Sequence, residues 1–142
     1  MTTELTYLLL TAILTGCLWV PVVIGYAKTR GPLKPEDYVH LPDSPLPDWV
    51  IRANRAHQNA VENVAQFAAV VLIAHVVGIS TGLTALMATL YFWARLAHAV
   101  VFIAGVKVAM ARTVIFSISW ATFLIFALAV LFGTPEAMPA AS

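Results

Sequence analysis

Cysteine is nearly absent from this chain. Cys17 stands alone, so no internal disulfide can form, and no cluster of Cys and His has the spacing of a metal site. Charge is scarce as well: 11% of the 142 residues are Asp, Glu, Lys or Arg, against 61% hydrophobic residues. With a mean hydropathy of +0.86, the polar surface of a soluble domain cannot be made, and the chain reads as an integral membrane protein. Basic residues are missing from both tails, since all eight Lys and Arg lie between Lys28 and Arg112. The formal net charge of +1 and this placement leave no basic tail or patch for nucleic acid. Internal repeats and low-complexity tracts are also lacking.

What remains is a set of long apolar runs. They predict an all-α membrane protein, a four-transmembrane-helix bundle forming a single domain over residues 1–142, with spans at about 5–27, 56–78, 83–104 and 112–132. The first run opens on Thr-Thr-Glu4 rather than on basic residues and continues for about 23 residues, roughly 35 Å of helix. That length suits a retained span rather than a signal peptide. Cys17, inside it, is expected to be packing. Gly31, Pro32, Pro35, Pro42, Pro45 and Pro47 break helix repeatedly and predict a polar loop from Lys28 to Trp49. Ile79 to Gly82 reads as a tight turn, Val106 to Ala111 with Lys107 as another short connection, and the tail after Gly133 as disordered.

The first loop carries Lys28, Arg30, Lys34, Arg52 and Arg55, and the third connection carries Lys107 and Arg112. The turn between spans two and three has no charge, so both termini are expected on the non-cytoplasmic side. Short loops and the lack of an endoplasmic-reticulum retention tail favour a bacterial inner membrane.

The start of the second span is unusually polar. Arg55, Asn59, Glu62 and Gln66 recur at helical spacing and form one stripe leading into the membrane, joined by His57, Gln58 and Asn63. Ionisable groups at membrane depth are costly and point to a site. The third span adds Arg95 and His98 on a face shared with Phe102, so a Glu62–Arg95 pair is expected, inside the bundle or between subunits. Such a pair serves structural adhesion and ligand binding equally well. Lys28, Arg112 and Thr113 fall at the same membrane edge as Arg55 and Asn59, giving a surplus of positive charge and amide donors suited to an anionic, hydrogen-bonding ligand. His75 reads as an internally hydrogen-bonded helix contact, His40 as a solvated loop residue, and the four tryptophans as interface anchors and packing.

Arg55-Ala-His57-Gln-Asn59-Ala-Val-Glu62, then Arg95-Leu-Ala-His98, then Ala-Arg112-Thr113, taken in that order, resemble the MAPEG family, the membrane-associated proteins of eicosanoid and glutathione metabolism. The likeness covers nearly the whole chain, including the long first loop with Pro35-Glu-Asp37. It implies a homotrimer with glutathione as co-substrate between neighbouring subunits, and a lipophilic small-molecule substrate taken from the membrane lipid. By the same resemblance, Lys28, Arg55, His57, Asn59, Glu62, His98, Phe102 and Thr113 bind glutathione. Arg112 matches the arginine that holds its thiolate in catalytic members. A guanidinium suits that role because it stays charged, whereas a free thiol with a pKa of about 8.5 is mostly protonated at neutral pH.

The chain departs from the family pattern at Phe102 and Phe116, where many members carry tyrosines, and at Gln66, where proline often follows the motif. Gln58 and Ala60 replace the arginine and aspartate of the prostaglandin synthase type. Three readings follow. The first is a glutathione transferase of the bacterial type, conjugating lipophilic electrophiles or reducing lipid hydroperoxides. The second is a non-catalytic lipid-binding or scaffold member, which the missing tyrosines favour. The third is a small proton-coupled exporter with Glu62 as carrier, opposed by the arginines and amides that would hold that carboxylate ionised.

Overall fold

The computed structural model describes residues 1–32, 34–39, 44–106 and 110–134. Its helices are α1 (Thr3–Cys17), α2 (Trp19–Arg30), α3 (Asp48–Val76), α4 (Gly82–Ala104) and α5 (Ala111–Phe132), with one 3-10 turn at Pro35–Tyr38. Four segments are long and apolar enough to cross a membrane: Thr3–Arg30, Asp48–Val76, Gly82–Ala104 and Ala111–Phe132. The expected all-α four-span bundle is therefore present. His40, Lys107 and the tail from Pro135, for which a solvated loop, a short connection and disorder were expected, lie outside the described residues.

The first pass is broken at Leu18. Pro21 has no N–H to bond the Cys17 carbonyl and its ring crowds that oxygen, so α1 ends at Cys17 and α2 restarts at Trp19. Glycine at position 31, with φ at +73°, closes α2 behind Lys28 and Arg30, whose charges complement the carbonyl end of the helix. The polar loop expected from Lys28 to Trp49 is shorter than it read: α2 runs on to Arg30, Lys34 caps a 3-10 turn through its N–H to the Asp37 carboxylate at 2.8 Å, and α3 begins at Asp48, right after Pro47. Thr81 caps α4 reciprocally with Thr84, and Gly105, in the left-handed conformation, ends it.

Several threonine hydroxyls along the spans bond within their own helices. Thr11 Oγ1 donates to the Tyr7 carbonyl at 2.7 Å and Thr89 Oγ1 to that of Ala85 at 2.9 Å, as an environment without water requires. α4 packs on α5, on α1 and on α3, while α2 lies against α3. Near the N-terminal end of the bundle, Phe67 stacks on Tyr91 with ring centroids 3.9 Å apart and meets Phe126 edge-on at 6.2 Å, tying α3, α4 and α5 together. Toward the other end Leu18, Ala60 and Ala99 form a smaller apolar cluster. Gly25 lets α2 approach α3 closely, since a Cβ there would strike both methyls of Val50.

Candidate functional site

At the end of the bundle away from the N-terminus, α3 begins, α4 ends and α5 begins. A cavity of about 440 Å³ lies between them, lined by Arg55 and Asn59 of α3, His98 and Phe102 of α4, and Arg112, Thr113 and Phe116 of α5. Helical spacing explains the selection: Arg55 and Asn59 are one turn apart, as are His98 and Phe102, and Arg112 and Phe116. Among the described residues both charged groups in the lining are guanidinium ions, and no carboxylate lines it.

Asn59, in the cavity wall, is hydrogen-bonded to α4. Arg95 is 4% exposed, and its Nη2 donates to the Asn59 backbone oxygen at 3.0 Å and to Asn59 Oδ1 at 2.9 Å. Its Nη1 is buried without a partner. Tyr91, one turn earlier on α4, donates through its hydroxyl to the Asn63 carbonyl at 3.2 Å, so two α4 side chains grip consecutive turns of α3. His98, also buried, sits against aromatic rings, 5.6 Å from Phe102 and 6.0 Å from Phe116. The Arg112 guanidinium lies over the Phe102 ring at 4.8 Å and is solvent-facing on its other side. Among the described residues no side chain caps the start of α5 after Met110, and its first-turn N–H groups lie beside Arg112 and Thr113.

The structure thus brings Arg55, Asn59, His98, Phe102, Arg112 and Thr113 around one space, together with Phe116. It does not bring Lys28, His57 or Glu62 there. Lys28 is exposed near the end of α2, His57 is half-buried with Nδ1 lacking a partner, and Glu62 is exposed on the outside of α3. The expected Glu62–Arg95 pair is not formed within the chain. Arg95 faces Asn59 instead, and Glu62, three residues further along α3, is turned about 60° away around the helix axis.

Sequence reading passed over several polar groups. Arg52 Nε donates to the Ile103 carbonyl at 3.2 Å and lies against Gly105, fastening α3 to the end of α4. Arg30 stacks on Tyr26 at 5.0 Å. Glu4, read only as part of a non-basic start, is 3% exposed and bonded to α4, and His75 is exposed beside it rather than internally hydrogen-bonded. The available signal was that Glu4 begins an apolar helix, where an acid needs a partner.

No curated protein and no solved structure matches the chain. The family model described as MAPEG family matches residues 5–132, nearly the whole length, and the chain belongs to the MAPEG family.

Proposed function

We propose that the cavity between α3, α4 and α5 binds glutathione and that the protein is a membrane glutathione transferase acting on lipophilic electrophiles. The family holds glutathione transferases and peroxidases as well as non-enzymatic members, so family membership alone leaves the activity open. The observation that carries the choice is the pair of cations, Arg55 and Arg112, facing one cavity with no carboxylate among its described lining. Glutathione is an anion whose carboxylates, peptide groups and thiol call for charged and amide donors together. In this reading Arg55 and the Asn59 amide hold its carboxylate and peptide groups. Arg112 and the N-terminal turn of α5 favour the thiolate over the thiol, with Thr113 as a further donor. The thiolate sulfur then bonds to an electrophilic carbon as the leaving group departs. With a lipid hydroperoxide, two glutathione molecules are oxidised to the disulfide while the hydroperoxide becomes an alcohol and water.

The outward face of α3 supports assembly as a homotrimer. Gln58, Glu62 and Gln66 are exposed on the single protomer, where lipid would otherwise meet them, and a neighbouring subunit would cover the stripe. In that assembly Glu62, His57 and Lys28 complete the site from the subunit boundary. With the positive-inside arrangement, the cavity opens at the cytoplasmic edge of a bacterial inner membrane and both termini lie outside.

A second reading rests on Phe102 and Phe116. They line the cavity with hydrocarbon where phenols would donate hydrogen bonds, which suits a lipid-binding member without chemistry. Turnover of glutathione with 1-chloro-2,4-dinitrobenzene by purified protein separates the two. The transferase reading expects turnover that falls at least a hundredfold in Arg112→Ala with the fold retained, and no turnover in wild type would favour the lipid-binding reading.

A further inference from the structure

At the opposite end of the bundle from the glutathione cavity, about 24 Å along α3 by helical rise, lies a second, half-open pocket with mostly apolar walls. It measures about 230 Å³, and its polar lining is Thr2, Glu4, His75 and Ser80, with Val71 and Ile79 among its apolar walls. Glu4 is 3% exposed. Its carboxylate accepts from Thr84 Oγ1 at 2.6 Å and from Ser80 Oγ at 3.1 and 3.2 Å, so its partners there are neutral hydroxyls. Among the described residues no Lys or Arg lines this pocket. The hydroxyls and the first turn of α1 stabilise this carboxylate, and its remaining lone pairs can accept from a ligand.

The donor and acceptor inventory is one-sided. The Ser80 hydroxyl proton is directed at Glu4, which leaves its lone pairs free, and the carboxylate can only accept. His75 adds a ring nitrogen. A ligand with positive charge and N–H groups, and with hydrocarbon beside them to meet Val71 and Ile79, suits this pocket. We propose that this cavity binds a primary ammonium group, carried by a lipid headgroup or by a free amine, at the membrane edge where the N-terminus sits. A quaternary ammonium, which has no N–H, is disfavoured by the same inventory. The proposal is independent of the glutathione site.

The test titrates detergent-purified full-length protein with phosphatidylethanolamine, phosphatidylcholine and free ethanolamine, following bound molecules by native mass spectrometry. Saturable phosphatidylethanolamine binding at least tenfold tighter than phosphatidylcholine binding, weakened tenfold or more in Glu4→Gln, supports the proposal. Displacement of the lipid by ethanolamine identifies the free amine as sufficient, and binding without such displacement identifies the headgroup on its lipid. Equal binding of the two lipids, no binding of either, or unchanged phosphatidylethanolamine affinity in Glu4→Gln overturns it. Should Glu4→Gln not fold, Ser80→Ala and His75→Leu decide in its place: severalfold weakening in either supports the site, and unchanged affinity in both overturns it. Glutathione binding, measured on the same preparations, is expected to be unaltered.

Discussion

Arg95 grips Asn59 twice through one nitrogen, bonding the backbone oxygen at 3.0 Å and the side-chain oxygen at 2.9 Å. With Oδ1 occupied, the end of the amide left for a ligand in the cavity is the NH₂ donor, which suits the peptide carbonyls or carboxylates of an anionic tripeptide. Replacing Arg95 by methionine keeps bulk but frees the Asn59 oxygen. A loss of about 1–3 kcal/mol in stability is expected from the unpaired buried acceptor. Glutathione affinity, measured by calorimetry, should fall roughly tenfold, the equivalent of about 1.4 kcal/mol. Arg95→Lys, with a point charge in place of the fork, should lie between the two.

The Arg112–Phe102 contact, 4.8 Å from guanidinium to ring centre, supports a cation at the rim of the cavity. Phe102→Leu removes the ring face and should weaken glutathione binding by about two- to fivefold, in line with about 0.5–1 kcal/mol for an exposed cation–π contact. Phe116→Tyr should do the opposite by adding a phenol donor to the lining. A competing measurement of glutathione against a tyrosine-free wild-type lining reads both effects directly.

Gly25 and Gly16 make a paired test of packing. A Cβ at Gly25 would collide with Val50, whereas one at Gly16 meets nothing within 4 Å. Gly25→Ala should lower stability by about 1–3 kcal/mol through overpacking of α2 on α3, read as a fall in Tm in detergent. Gly16→Ala should leave the protomer's own stability unchanged or slightly raised. A fall in the mass of the detergent complex in Gly16→Ala alone would place α1 at a subunit contact.

Much of this architecture was legible in the sequence, and particular residues show where legibility stopped. The four spans followed from run length because lipid demands about 20 apolar residues per crossing, and Gly105 and Gly82 sit where α4 was expected to end and begin. The break at Leu18 was written in Pro21 but hidden by the hydropathy around it. α3 begins at Asp48, well before residue 56, because its first two turns are amphipathic rather than apolar, with Val50 and Ala53 buried and Ile51 exposed. Within the protomer, Glu62 does not pair with Arg95, for a different reason. Charge complementarity selects partners by sign, while the rotation of a helix about its axis, which put Asn59 rather than Glu62 opposite Arg95, is set by apolar packing at Ala60, Phe67 and Ala99. Lys28 and His57, outside the cavity in the protomer, were placed by motif rather than by geometry.

Glu62 provides a test of assembly. Exposed on the protomer, it makes little contribution to the packing of its own chain. Glu62→Leu should therefore leave the helical content and Tm of the protomer nearly unchanged. Where a neighbouring subunit covers the polar stripe, the substitution should lower glutathione affinity tenfold or more, and light scattering corrected for detergent should give three chains per particle in wild type. A monomeric particle with full glutathione affinity would contradict the shared site.

The most direct measurement is the ultraviolet difference spectrum of detergent-purified protein on addition of glutathione at neutral pH, with Arg112→Ala alongside. A thiolate band that saturates in wild type and disappears in Arg112→Ala, while calorimetry still detects the bound tripeptide, is the result expected if Arg112 holds the ionised sulfur. Saturable glutathione binding with no thiolate band in wild type, or a band that persists undiminished without the Arg112 guanidinium, would contradict it.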